Sequence, residues 1–215
     1  LIARNIFCHE DITGYELGGP KVHSQISGVA DFVSKSEQAC LDDVKKLLSF
    51  LPSSCDEKPP IVETGDDPNR ICEDLATIVP DAPRAPFDMK RVIRSIADQG
   101  DFFEVKPRFA RNMITGFLRI GGYPIGVVAN QSMVMAGAID SDASDKAGRL
   151  YRFCYCFNIT ILTIADVHGY MHGGKEEYKG IIRHGAKMLY GHIEEAVPQI
   201  PAVARTGYAG SWTSL

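Results

Sequence analysis

A stretch of small residues near the carboxyl terminus has the composition of an oxyanion-binding turn. Residues 207–211 read Gly-Tyr-Ala-Gly-Ser, between a predicted strand and the start of a predicted helix. Main-chain N–H groups in the first turn of a helix have no partner within it, and the helix dipole adds positive charge there. Gly210 and Ser211 can therefore stabilise an enolate oxygen through their N–H groups. The alternative is a tight turn whose small residues serve packing.

A second glycine-rich stretch, residues 166–174, reads Asp-Val-His-Gly-Tyr-Met-His-Gly-Gly. His168 and His172 are four residues apart, a spacing that suits a metal when both lie on a helix. The neighbouring glycines disfavour a helix, so we expect no metal and predict either a loop that closes over a site or a surface loop. Asp166, at the end of a predicted strand, can cap a helix or order the loop instead of acting as a catalyst.

A third candidate is a basic pair on a long predicted helix that covers residues 176–196. Arg183 and Lys187 are four residues apart and share a face, so they can bind a CoA phosphate or a carboxylate. A solvated face or an interface salt bridge is the alternative. The predicted core face of this helix consists of Ile182, Ala186, Leu189, Tyr190 and Ile193.

The elements that must position these residues alternate along the chain. Hydrophobic periodicity predicts strands at 113–120, 123–129, 160–165 and 200–204, and helices at 88–97, 142–157 and 176–196. Gly121 and Gly122 can form the tight turn of a hairpin between the first two strands. This order predicts an α/β domain with a mainly parallel sheet, in which sites lie at the carboxyl ends of strands.

Prolines divide the chain. Residues 37–51 have helical spacing that ends at Pro52, and seven prolines then fall between residues 52 and 87. Because proline fixes φ and lacks an N–H donor, this segment is predicted to be an extended connector. The predicted divisions are 1–55, a linker at 56–86, and a larger domain at 87–215.

Composition excludes several classes of function. The 215 residues carry a net charge of −4 and are 45% hydrophobic, so we expect a globular protein with no nucleic-acid partner. No apolar run approaches the roughly 18 residues of a membrane span. The six cysteines include no Cys-x-x-Cys pair, so free thiols in a reducing compartment are predicted. The chain begins at Leu1 instead of Met, so we expect its natural start upstream; no targeting peptide is visible.

Several motifs in the same order resemble one enzyme family. Residues 16–23, Glu-Leu-Gly-Gly-Pro-Lys-Val-His, precede Ser-Gly-Val-Ala-Asp at 27–31. Asn130 with Gln131, the segment 149–154 and Gly-Ile-Ile-Arg-His-Gly-Ala-Lys at 180–187 continue the match. Over nearly its whole length the chain resembles the carboxyltransferase (beta) subunits of acyl-CoA carboxylases, of the propionyl-CoA type.

The resemblance implies a fold and a reaction. The fold consists of two crotonase-like (crotonase/ClpP-like) domains, of which this chain would hold the end of the first and most of the second. Family members form hexamers from dimers, with each active site between the first domain of one subunit and the second domain of its partner. An acyl-CoA enolate attacks carbon dioxide released from carboxybiotin, which a partner subunit carries, and no cofactor is bound covalently. Substrate- or biotin-binding roles fall on His168, Gly169, Tyr170, Arg183 and Tyr208.

The loops depart from the family pattern. His168 and His172 stand where the family has prolines, and their loss should loosen the loop. Ala209 replaces a glycine and narrows the approach to the turn, and Thr213 stands where the family has a substrate-sensing acidic residue. The glycine-rich acyl-CoA turn is expected just upstream of Leu1.

Two main hypotheses follow from these features. The chain is a working carboxyltransferase subunit with a biotin-carrying partner, or it is a non-catalytic, carboxyltransferase-like subunit of a larger assembly. A mitochondrial respiratory complex is one such assembly, since the family's eukaryotic members lie in the mitochondrial matrix. A third possibility is that the domain binds an acyl-CoA without transforming it.

Overall fold

Helices and strands alternate through a computed structural model that describes residues 12–82, 85–194 and 196–208. Two short 3-10 turns lie at Asp98–Gly100 and Met135–Gly137. The strands are β1 (Phe102–Val105), β2 (Met113–Ile120), β3 (Tyr123–Asn130), β4 (Thr160–Val167) and β5 (Gln199–Gly207). The helices are α1 (Gly14–Gly18), α2 (Pro20–Gln25), α3 (Glu37–Leu48), α4 (Leu75–Ile78), α5 (Met89–Ile96), α6 (Ser141–Cys156), α7 (Gly174–Lys179) and α8 (Ile181–Ile193).

The five strands form one mixed sheet in the order β1-β2-β3-β4-β5. Strands β1, β2 and β3 pair antiparallel, whereas β3, β4 and β5 pair parallel. The prediction of a mainly parallel sheet is therefore wrong for the β1–β3 half, where short turns join neighbouring strands. The crossovers that parallel pairing requires are supplied by α6 between β3 and β4, and by α7 and α8 between β4 and β5.

Both faces of this sheet are buried. On β2, Met113 and Phe117 belong to one apolar core, which α6 covers, whereas Ile114 and Leu118 belong to a second core, which α5 covers. Side chains alternate between the faces of a strand, so a strand buried on both sides reads as a continuous apolar run. This explains why β2, β3 and β4 were recognisable in the sequence.

The predicted hairpin turn is confirmed, and a buried carboxylate holds it. Gly121 and Gly122 both adopt positive φ, 56° and 81°. Their N–H groups donate to Asp98 over 2.9 and 2.7 Å, and the Thr64 hydroxyl donates to the same carboxylate. Burial acts to raise the pKa of Asp98, but these hydrogen bonds outweigh it and hold the pKa below its usual range. Asp98 thus fastens the connector to the turn.

The segment before the connector packs on the larger domain. Phe32 stacks on Phe103 with ring centroids 4.9 Å apart, and Phe50 stacks on Phe117 at 5.6 Å. The buried Lys106 ammonium pairs with Asp31 at 2.8 Å and also donates to the carbonyl of Gly28. These contacts join the segment to the core of the sheet. The predicted divisions near residues 55 and 87 remain a prediction.

Three predicted boundaries are corrected. The predicted helix at 176–196 is two helices, since Gly180 adopts a left-handed conformation (φ 85°, ψ 49°) between α7 and α8. Strand β4 continues to Val167, so Asp166 lies within the strand and not in the loop that follows it. Helix α6 begins one residue before the predicted start, because the Asp140 side chain caps it by accepting from the N–H of Ala143.

The predicted core face of α8 is wrong. Ile182, Tyr190 and Ile193 are 78%, 61% and 64% exposed, whereas the buried positions are Ile181, Gly185, Met188 and Gly191. Helices α6 and α8 approach so closely that a Cβ at Gly148 would lie 3.3 Å from the Met188 Cα. The small residues therefore face inward, and the larger apolar side chains are left outside.

A buried lysine closes the loop between β1 and β2. Lys146 is 3% exposed, and its amine donates to the carbonyl oxygens of Lys106, Phe109 and Met113 over 2.9, 2.8 and 2.7 Å. The loop includes two non-glycine residues with positive φ, Lys106 and Ala110, a conformation that costs free energy. The three hydrogen bonds offset that cost.

Replacing Lys146 with Met should destabilise the protein by about 3 kcal/mol, since three carbonyl groups lose a donor in a dry environment. The free energy of unfolding in urea measures this change. Lys45→Met is the matched control, because Lys45 is largely exposed and should change stability by less than about 0.5 kcal/mol. Equal stability of the two variants would contradict the assigned role of Lys146.

Candidate functional site

Two of the predicted site residues meet where β4 and β5 end side by side. Val167 pairs with Gly207 in the parallel ladder, and the N–H of Tyr208 donates to the Val167 carbonyl over 3.2 Å. The rings of His168 and Tyr208 are consequently 6.2 Å apart. Neither residue is buried, so both rings are accessible at the carboxyl ends of the parallel strands, where ligands bind in such sheets.

The loop after β4 is held by main-chain bonds to the segment that precedes α6. The N–H of Ile139 donates to the Gly169 carbonyl over 3.1 Å, and the N–H of Met171 donates to the Ile139 carbonyl over 2.8 Å. Gly169 has a φ of 151°. These bonds hold the middle of the loop, between His168 and His172, the two positions at which the resemblance gives proline.

Tyr170 connects this loop to α8. Its ring lies against Gly185, where a Cβ would come within 3.0 Å of the ring. An apolar groove beside it is lined by Tyr170, Met171, Ile182, Ala186 and Leu189. Gly185 is therefore the position on α8 that lets Tyr170 pack against the helix.

Arg183 is not brought into this groove. It is exposed on the first turn of α8, with its guanidinium beside Gly180. Lys187, the other half of the predicted basic pair, lies 3.5 Å from the Asp145 carboxylate, which also approaches His184 at 2.8 Å. Lys187 thus forms a salt bridge within the chain, and phosphate binding by Arg183 remains a prediction.

Asp166 is enclosed, as an ordering residue would be. Its side chain is completely buried. It accepts hydrogen bonds from Arg205 Nη2 at 3.0 Å, from the Thr206 hydroxyl at 2.7 Å and from the Thr206 N–H at 3.3 Å. These donors occupy the carboxylate, which favours the loop-ordering role over proton transfer.

The predicted oxyanion donors Gly210 and Ser211 lie outside the described residues, and their roles remain predictions. Within the described ranges, no group of three or more His, Cys, Asp or Glu side chains is arranged to hold a metal. The pairing of Arg205 with Asp166 was not predicted from the sequence. A usable signal was present, however, because Asp166 and Arg205 each interrupt an apolar strand at its carboxyl end.

Glu176 lies in α7, at the end of the loop that follows β4, and its role was not predicted from the sequence. It is 7% exposed on α7 and accepts from the N–H and the hydroxyl of Ser141, at 3.1 and 2.9 Å, in the first turn of α6. Burial acts to raise the pKa of Glu176, but the two bonds from Ser141 and the nearby Lys179 ammonium outweigh it and lower the pKa. Glu176 therefore joins the loop to the helix that follows β3.

The fold defines the class: an α/β domain of the crotonase type. Its candidate site lies on the two neighbouring segments that follow β4 and β5. Residues 3–215 match the family model described as the carboxyl transferase domain. The chain therefore belongs to the carboxyl transferase family, and the resemblance read from its motifs is confirmed.

Similar proteins place the chain within that family. It is 46% identical to methylmalonyl-CoA decarboxylase subunit alpha of Veillonella parvula, over 96% of this chain and 40% of that protein. It is also 46% identical to the propionyl-CoA carboxylase beta chain of Roseobacter denitrificans, over 96% of this chain and 41% of that protein. The solved structure of transcarboxylase 12S, described as a hexamer assembly, superposes with a TM-score of 0.94 at 43% identity and covers 99% of this chain and 41% of that one. The chain thus spans about two fifths of the length of these relatives.

Glu176→Gln should lower the free energy of unfolding at neutral pH by about 1–2 kcal/mol, because a charged acceptor of two hydrogen bonds is lost. A carboxylate with a depressed pKa stabilises the fold above its unfolded pKa of about 4.3 and loses that contribution as the pH falls through the folded pKa. The gap between wild type and variant should therefore narrow below about pH 4. Urea titrations of both proteins at pH 7, 5 and 3 measure this difference in the free energy of unfolding. Glu177→Gln, at an exposed neighbour, is the control, and a pH-independent gap would contradict the linkage.

Proposed function

We propose that this chain is the carboxyltransferase part of a biotin-dependent acyl-CoA enzyme, in which a carboxyl group moves between biotin on a partner subunit and the α carbon of an acyl-CoA. The observation that carries the proposal is the meeting of the loop after β4 and the turn after β5. His168 and Tyr208 flank this meeting point. Membership of the carboxyl transferase family supports the reaction class.

The reaction requires stabilisation of a negative oxygen. In carboxylation the N–C bond of carboxybiotin breaks to release carbon dioxide and leaves negative charge on the ureido oxygen of biotin. Biotin then takes the proton of the acyl-CoA α carbon, and the electron pair left on that carbon forms a bond to the carbon dioxide, so an enolate oxygen also carries charge between the two steps. Fixed N–H donors aimed at these oxygens lower the barrier. The N–H of Tyr208 is already used by the Val167 carbonyl. Donors from this turn must therefore come from later residues, which supports Gly210 and Ser211 as donors to the biotin oxygen. The separate acyl-CoA turn would serve the enolate oxygen.

The acyl group is inferred to have three carbons. The names of the two relatives contain propionyl-CoA and methylmalonyl-CoA, which differ by one carboxyl group on the α carbon. One site can serve both directions, since the same enolate lies between the two compounds. Carboxybiotin and acyl-CoA would then enter as substrates, and the chain itself would hold no covalent cofactor.

The proposed assembly includes a second copy of this chain. Three large apolar side chains of α8, Ile182, Tyr190 and Ile193, are mostly exposed and would gain about 25 cal/mol per Å² on being covered. Transcarboxylase 12S is described as a hexamer assembly, which supports a copy of the same chain as the occupant. Within the described ranges no helix has the length and apolar character to cross a bilayer.

The non-catalytic alternative and the mitochondrial location both remain predictions. A carboxyltransferase-like subunit of a larger, for example respiratory, complex would keep the fold and lack the activity. The protein purified from its source with its partner subunits separates the two hypotheses. Transfer of labelled carboxyl groups to propionyl-CoA, abolished by avidin, supports the enzyme. A single copy in a large assembly without a biotinylated subunit and without transfer supports the structural role.

Ser211→Pro should lower kcat for carboxyl transfer by about 100-fold or more, because proline removes the N–H donor at this position. Ser211→Ala keeps the N–H and should retain kcat within a few-fold. Initial rates with propionyl-CoA and carboxybiotin, either free or on its carrier subunit, give both values. Equal rates for the two variants would rule out Ser211 as an N–H donor.

Ile193→Glu should weaken self-association by placing a charge in the proposed contact surface of α8. Analytical ultracentrifugation over a range of concentrations measures the association constant. Tyr155→Glu, on the exposed side of α6, is the control and should leave the association constant unchanged. If the wild type is monomeric at all concentrations, the proposed surface is wrong.

A further inference from the structure

A buried ion pair between Asp166 on β4 and Arg205 on β5 lies next to the candidate site. Both residues lie within the strands and not in the segments that follow them. Asp166 is completely buried, and the Arg205 side chain is 11% exposed. Removing a carboxylate from water into an apolar sheet costs several kcal/mol, so it needs paired donors. Arg205 and Thr206 supply them through both the guanidinium and the hydroxyl.

A bulge in β5 creates this pairing. Ala165 lies opposite Val203 and Val167 lies opposite Gly207, so β5 has three residues where β4 has only Asp166. Extra residues in one strand locally redirect side chains. Here they bring Arg205 and Thr206 around the carboxylate and leave Gly207 paired with Val167.

The other side of the Arg205 guanidinium holds the connector. Nη1 donates to the carbonyl oxygens of Ala82 and Ala85 over 3.0 and 2.7 Å, and the guanidinium carbon lies 5.1 Å from the centre of the Phe87 ring. Phe87 is in turn fixed by Ser132, whose hydroxyl bonds to both the Phe87 N–H and its carbonyl. One side chain therefore joins β4, β5 and the end of the connector.

We propose that Arg205 and Asp166 form a latch that couples the docking of the connector to the geometry of the turn after β5, with Arg205 as a positioning residue for the site. A buried ion pair is rarely more stabilising than an apolar pair of the same size. What it adds is a specific arrangement, because a planar guanidinium donates to its acceptors in fixed directions. The positioning role of Arg205 in catalysis rests on the proposed function. The coupling between the connector and the turn does not depend on it.

The chain offers an internal reporter for this coupling. Trp212 is the only tryptophan in the sequence and follows Arg205 by seven positions, so its fluorescence reports on the turn. Hydrogen exchange followed by mass spectrometry reports on the connector at residues 82–87. Both measurements are made on the whole protein and require no activity.

Arg205→Met should raise connector exchange about tenfold and increase acrylamide quenching of Trp212, while exchange in α6 stays unchanged. Arg205→Lys keeps the charge but cannot reach the carboxylate and both carbonyl groups together. It should therefore change both signals in the same direction by a smaller factor, and it serves as the test if the Met variant does not fold. Arg152→Met, at an exposed residue of α6, should change neither signal.

The latch is wrong if a folded Arg205 variant leaves connector exchange unchanged, or changes it without changing Trp212 quenching. A uniform rise in exchange across the sheet would indicate a purely structural role and would also overturn the coupling. If the wild type transfers carboxyl groups, Arg205→Lys should lower kcat more than it raises KM for the acyl-CoA. Absence of wild-type transfer would refute the proposed function, and the exchange and quenching results would still decide the latch.

Discussion

The parallel pairing of β4 with β5 is the constraint on which the candidate site depends. Pairing places the ends of two strands, separated by more than thirty residues of sequence, within one hydrogen bond of each other, from Tyr208 to Val167. The buried Asp166 tolerates this position only because the β5 bulge surrounds it with donors. The end of β5 at Gly207 thus lies beside a buried carboxylate whose donors come from the same strand.

Other buried charged side chains around the site also have their hydrogen bonds satisfied by distant segments. Asp98 holds the hairpin turn, Glu176 caps α6, and Lys146 collects three carbonyl oxygens of a strained loop. Each of these side chains joins segments that lie far apart in the sequence. The loops at the site are consequently attached to the sheet by polar contacts, whereas the sheet itself is held by two apolar cores.

Close packing of α6 on α8 has a consequence at the surface. Glycines at 148, 185 and 191 allow the helices and Tyr170 to approach, so the larger apolar residues of α8 face outward. A groove beside the loop after β4 is lined by the same helix. In the proposed enzyme, helix packing within one chain and association with a second copy would share α8, which places subunit contact next to the site.

Sequence alone determined the apolar strands, the glycine hairpin, the helices near 88–97 and 142–157 and the family, because each depends on short-range periodicity or on motifs in order. It also placed His168 and Tyr208 at strand ends. It could not determine the buried face of α8, where glycines at a helix crossing override the apolar pattern, or the break at Gly180. Nor could it show that Asp166 and Arg205 meet, since their contact depends on a bulge whose register only the folded sheet defines. Tertiary structure decided these points because a buried charge or a close helix contact takes its partner from elsewhere in the chain.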